Sequence, residues 1–110
     1  VKAEIKRLWI RALKSRKYKQ GYGALRTKEG YCCLGVLCDL HAKATGGKWR
    51  KSTQFTYEYL DQEDVLPKEV YKWAGLDSPN PFVPRVHLTG LNDDERMNFE
   101  HIANMIRRYL

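Results

Sequence analysis

The chain has 110 residues, a formal charge of +7, 43% hydrophobic and 12% aromatic content, enough for one modest core and too much for a disordered chain. No apolar run approaches the ~20 residues of a bilayer span. Three cysteines without a secretory context point to a reducing, cytoplasmic setting rather than a disulfide scaffold. One domain over residues 1–110 is expected, of α+β class, mostly helical with a small antiparallel sheet or hairpin.

Residues 2 to 17 predict an amphipathic helix. Ile5, Leu8, Trp9, Ala12 and Leu13 recur at helical spacing and form one apolar stripe. Arg7, Arg11 and Lys14 line the opposite side as a cationic ridge. The stretch Tyr18 to Gly23, with two glycines, breaks the helix, and Ala24 to Thr27 reads as a short extended piece before a turn at Lys28-Glu29-Gly30. Residues 31 to 43 are apolar nearly all round at the start, which predicts a buried helix. Gly35 costs about 1 kcal/mol there relative to Ala and is tolerated where another element packs closely on it. Trp49 to Leu60 predicts a hairpin whose alternating Phe55, Tyr57 and Tyr59 share one face. Pro67 starts a short helix over 67–74 that Gly75 closes, and Asp77 to Pro84 is expected to be an ordered or extended connector. For the last helix Asn92 is the expected cap, with Asp93, Asp94 and Glu95 at its positive end and Arg107 and Arg108 at its negative end.

The charge is unevenly spread. Residues 1–51 hold fourteen Lys/Arg against Glu4, Glu29 and Asp39, a balance of +11; residues 52–110 balance at −4. Such a half suits a polyanionic partner. The candidate contacts are the ridge of Arg7, Arg11 and Lys14, continued by Lys17, Lys19 and Arg26. In Gly21-Tyr22-Gly23-Ala24-Leu25-Arg26 the glycines bring backbone N–H groups near an anion, Tyr22 offers a stacking ring and Arg26 a forked donor. The bland alternative is a turn with Arg26 paired to an acid. Trp49, set between Lys48 and Arg50 with Lys51 beyond, makes a second cationic-aromatic cluster of the kind single-stranded nucleic acid uses.

Other chemistry finds less support. Cys38 and His41 lie one turn apart, but Cys32 and Cys33 are adjacent and diverge on a helix, so the thiols read as core filling rather than a metal site. Asp61, Glu63 and Asp64 lack a regular cation-loop pattern and read as a solvated patch; His101 reads as a surface residue. No P-loop, Rossmann glycine pattern or serine elbow is present. No catalytic residue, metal or cofactor is assigned, and the expectation is a binding protein rather than an enzyme.

Several blocks carry a resemblance. Tyr18-Lys19-Gln20-Gly21, Gly23-Ala24-Leu25-Arg26 and Gly30 to Leu40 (GYCCLGVLCDL), followed by Leu66-Pro67, Trp73-Ala74-Gly75-Leu76 and Leu91-Asn92-Asp93 with Phe99, Ile102-Ala103 and Ile106, resemble a family of small, largely uncharacterised bacteriophage and prophage proteins. The resemblance covers most of the chain and is weakest over residues 43 to 60. It implies a phage origin, and by genome association a protein that binds and blocks a host machine or defence system. The expected function is a phage accessory protein of the host cytoplasm that binds an anionic partner, either nucleic acid or a nucleic-acid-handling host or defence complex. Two alternatives stay open: a pocket protein that sequesters or hydrolyses a nucleotide signal, with Gly21 to Arg26 cradling phosphate, and an inhibitor docking on an acidic host protein surface. No membrane partner is expected, and the oligomeric state is open.

Overall fold

The computed structural model describes all residues, 1–110. Helix α1 (Ala3–Lys14) buries Ile5, Trp9 and Leu13. Leu8, expected in that stripe, is instead 40% exposed, because it lies at the stripe's edge where no neighbouring element covers it. The Trp9 indole N–H donates to the Cys33 carbonyl at 3.0 Å, which ties α1 to helix α2 (Cys33–Thr45). Helix α4 (Phe99–Tyr109) runs antiparallel to α1: Leu13 lies near Phe99, and Val1 near Tyr109 and Leu110.

Helix α2 is the centre of the molecule, with every residue from Cys33 to Cys38 buried. Gly35 has the close neighbour its position demanded. A Cβ there would run into the Leu25 carbonyl, which also accepts the Cys32 N–H at 3.0 Å. Leu25, fully buried, thereby seats the adjoining strand β1 (Arg26–Thr27) directly on the helix.

Strands β2 (Trp49–Lys51) and β3 (Thr56–Tyr59) form the expected hairpin. With β1 they make an antiparallel sheet of order β1-β3-β2, and helix α3 (Lys68–Ala74) follows, closed by Gly75. The connector over 77–84 is ordered and ends in a hairpin of β4 (Phe82–Val83) with β5 (Val86–His87). The expected start of the last helix at Asn92 is corrected. Residues Gly90–Asp94 form a π-type turn, Asn98 accepts the His101 N–H at 2.8 Å, and α4 begins at Phe99. Asn92 is wholly buried: its carbonyl oxygen accepts from Gln20 and the Cys33 amide, and its amide donates to the Gly21 carbonyl and Asp93. A side chain satisfied in this way is unavailable as a helix cap. The result is an α+β domain, mostly helical, with small antiparallel sheets.

Candidate anion-binding face

The sheet register decides which side chains meet. Arg26 pairs with Tyr57 and Tyr57 with Lys51, and residues directly opposite across antiparallel strands point to the same face. Trp49 and Tyr59 pair two residues along and share that face. Tyr31 bridges the outer side of Arg26. One face therefore carries Tyr31, Arg26, Tyr57 and Lys51 in a row, with Trp49 and the buried Tyr59 behind it. The opposite face carries Thr27 with Thr56, and Arg50 with Glu58.

The Arg26 guanidinium carbon lies 4.4 Å from the ring centre of Tyr57, 5.0 Å from Tyr31 and 5.5 Å from Trp49. A guanidinium over aromatic rings gains about 0.5–1 kcal/mol where exposed and ~2 kcal/mol or more where desolvated. Arg26 is half-buried and makes no ion pair. No buried side-chain nitrogen or oxygen lacks a partner, so its N–H groups reach solvent. Arg26 is thus oriented by rings rather than neutralised by a carboxylate, which removes the acid-paired alternative for it.

One carboxylate, Asp39 on α2, does lie beneath the aromatic cluster, and its oxygens are taken. The Tyr18 hydroxyl donates to one at 2.6 Å, the Trp49 indole N–H to the other at 3.1 Å, and the Lys43 ammonium sits at 3.3 Å. Lys43 also donates to the Tyr18 hydroxyl at 3.0 Å. Burial, reinforced by Asp39, pushes the Tyr18 phenol above its usual range, and the Tyr31 phenol likewise. Both remain neutral stacking groups at neutral pH. Edge-to-face contacts of Tyr31 with Tyr18 at 5.1 Å and with Trp49 at 5.9 Å lock the cluster.

The remaining candidates are dispersed. Arg7, Arg11 and Lys14 are exposed on α1, opposite its buried stripe, without ion pairs. Lys17 and Lys19 are exposed on either side of Tyr18, and the Lys19 carbonyl accepts the Tyr31 N–H at 2.8 Å, so Lys19 borders the aromatic row. Tyr22 meets Arg96 rather than Arg26, the Arg96 guanidinium carbon lying 4.3 Å from its ring centre. The Gly21 and Leu25 amides donate to the Tyr31 and Glu63 carbonyls, so neither is open to an anion. The second cluster is split by strand alternation. Trp49 and Lys51 face the aromatic side and Arg50 the other, where it pairs with Glu58 and Asp61; Lys48, just before β2, is exposed.

Cys32, Cys33 and Cys38 are buried and unpaired by disulfides. Burial pushes the Cys32 thiol up to about 12 and holds Cys33 and Cys38 well above the ordinary range, so these are protonated core groups, not nucleophiles. His41 Nδ1 and the Tyr59 hydroxyl share a hydrogen bond of 2.6 Å, and the imidazole lies edge-on to Tyr59 and Trp73.

Sequence reasoning passes over Tyr18, Tyr31, Asp39, Lys43 and Tyr57 as site residues. The one local signal is the Tyr57-Tyr59 alternation, which marks an aromatic strand face without saying which cation it meets; Phe55, expected on that face, precedes β3 and is exposed.

No helix is long and apolar enough to cross a membrane. No curated protein and no solved structure matches the chain. Over residues 1–110 it matches the family described as a domain of unknown function (DUF8296), and the chain belongs to that family.

Proposed function

We propose that this protein is a phage-encoded accessory protein of the host cytoplasm that binds nucleic acid, alone or within a nucleic-acid-handling host or defence complex, and interferes with that machinery. The observation that carries the reading is Arg26, held by three aromatic rings without a carboxylate partner and with its donors open to solvent. A polyanion supplies the missing counter-charge at no cost of breaking an existing ion pair. Lys19 and Lys51 border the same face, and the exposed cations of α1 extend the positive field. The phage origin rests on the block resemblance of Gly23 to Arg26 and Gly30 to Leu40, and interference with the host is the role such an origin favours.

The test is a titration of the purified chain against single-stranded and double-stranded oligonucleotides at two salt concentrations. Micromolar or better affinity is expected, falling steeply with salt. Each lysine or arginine that meets a phosphate should contribute about 0.7–0.9 to the logarithmic salt slope. Arg26→Gln should weaken binding, and Arg11→Ala or Lys14→Ala should flatten the slope wherever the ridge takes part. Absence of binding at low salt to either form would remove nucleic acid from the account.

A further inference from the structure

The row across the sheet narrows the ligand to one form of nucleic acid. Resting on the nucleic-acid reading, we propose that the face built by Arg26, Tyr57 and Lys51 takes an unpaired base of a single strand, stacked in the aromatic row, with the adjoining phosphate on Lys51 and Arg26. The register places these residues directly opposite one another on β1, β3 and β2. Neighbouring strands lie about 4.8 Å apart, so the Tyr57 ring has a cation one strand away on either side, within reach of the phosphates that flank a base stacked there. Tyr31 extends the row beyond Arg26.

Three features favour an unpaired base over other anions. A duplex keeps its bases stacked on one another and offers an aromatic sheet face only phosphates, so it would leave Tyr31, Trp49 and Tyr57 without a role. A small free nucleotide needs an enclosing pocket with net positive charge, and the hollow of about 430 Å³ beside Trp49 sets Lys48 and Arg50 against Glu58 and Asp61, which leaves no cationic surplus for phosphate. An acidic protein surface would engage the lysines and leave the rings unused. The rings here are also preorganised. Arg26 over Tyr57, the Trp49 N–H on Asp39 and the Tyr18 hydroxyl on the same carboxylate fix their orientation before any ligand arrives, which reduces the ordering that binding requires. The single acid beneath the row, Asp39, already has Tyr18, Trp49 and Lys43 as partners and adds little net repulsion.

The experiment compares three ligands of equal length: an oligothymidylate, its duplex with oligoadenylate, and an abasic strand with the same phosphates. Fluorescence anisotropy reads each affinity. Base stacking on a protein ring should make the oligothymidylate bind about ten-fold or more tightly than the abasic strand. Tyr57→Leu should lower oligothymidylate affinity toward the abasic value, and Tyr57→Phe should keep it. Unchanged abasic binding by Tyr57→Leu doubles as the control that the variant is folded. Equal affinity of the natural chain for the base-bearing and abasic strands overturns base stacking while leaving nucleic-acid binding in place. Tighter binding of the duplex than of the single strand overturns it too. Failure of all three ligands to bind removes this proposal and the function reading together.

Discussion

The two faces of the three-stranded sheet each carry an arginine, and the two are used in opposite ways. On one face Arg50 is exposed and clamps Glu58 and Asp61, so its charge is spent inside the molecule. On the other, Arg26 is half-buried among Tyr57, Tyr31 and Trp49 and has no acid to pair with. Counted along the chain, both are single cations in the basic half. Pairing, not abundance, separates a cation that holds the fold from one that is available to a partner. Eighteen of the twenty Lys/Arg make no ion pair, Lys43 and Arg50 being the exceptions, but only Arg26 among them is set among three aromatic rings.

The contrast is broken most severely from beneath. Gly35 lets α2 approach the Leu25 carbonyl, and Leu25 immediately precedes Arg26. Gly35→Ala would gain about 1 kcal/mol of helix propensity, yet its Cβ meets a backbone carbonyl that has no flexible end to move aside. The helix or β1 must shift, straining the Cys32 N–H bond to Leu25. A net loss of about 3 kcal/mol is expected, at the upper end for overpacking, read as a lower urea midpoint. A stabilised Gly35→Ala protein would show that α2 and β1 are not rigidly seated and that Arg26 is only loosely placed among its rings.

This contact also shows where sequence reasoning succeeds. Gly35 reads as a close-approach glycine because a glycine in an apolar helix has few other uses, and α1, α2 and α3 follow from spacing and punctuation within a few turns of chain. The arginines read less well. Arg26 meets Tyr57 through a register between segments 31 positions apart, and nothing local in either segment encodes that pairing. Trp49-Arg50-Lys51 reads as one cluster in the chain, but a strand sends alternate side chains to opposite faces, and the hairpin alone does not say which face is aromatic. The start of α4 is misread for a related reason. Asn92 and Asn98 both suit a cap by residue type, and only the buried bonds of Asn92 to Gln20, Gly21 and Cys33 remove it from the choice.

A milder way to loosen the aromatic face is through pH. His41 holds Tyr59, which in turn lies 5.2 Å from Trp49 behind the row. Burial lowers the His41 pKa, opposed in part by Glu69. In the imidazolium both ring nitrogens carry protons, so Nδ1 can then only donate to the Tyr59 hydroxyl 2.6 Å away. With the folded value below the unfolded one near 6.5, the unfolded chain binds more protons in this window, so stability rises with pH. The contribution is complete above about pH 6.5 and is lost as pH falls from there toward the lowered folded value. Unfolding midpoints measured from about pH 7.5 down to about pH 5 should fall, and His41→Gln should reduce the slope in that window. An unchanged slope in that variant would place the titration elsewhere.

The smallest effect belongs to Arg50, and its smallness is the sharpest check on the contrast. Arg50→Gln removes one positive charge from the same hairpin that carries Lys51 and Trp49, so a protein that binds polyanions by bulk charge should feel its loss as much as any other. If pairing governs availability, it should not. Arg50 is on the far face and its charge is already balanced by Glu58 and Asp61. At physiological salt, where charges are screened over about 8 Å, the substitution should change oligonucleotide affinity by less than about two-fold. The exposed ion pairs it breaks are screened by solvent and should shift the unfolding midpoint little. Arg26→Gln, an identical change in charge, should weaken binding several-fold more. Equal losses in the two variants would reduce the aromatic face to one patch of a diffuse positive field; a large loss at Arg50 alone would move the contact to the opposite side of the sheet.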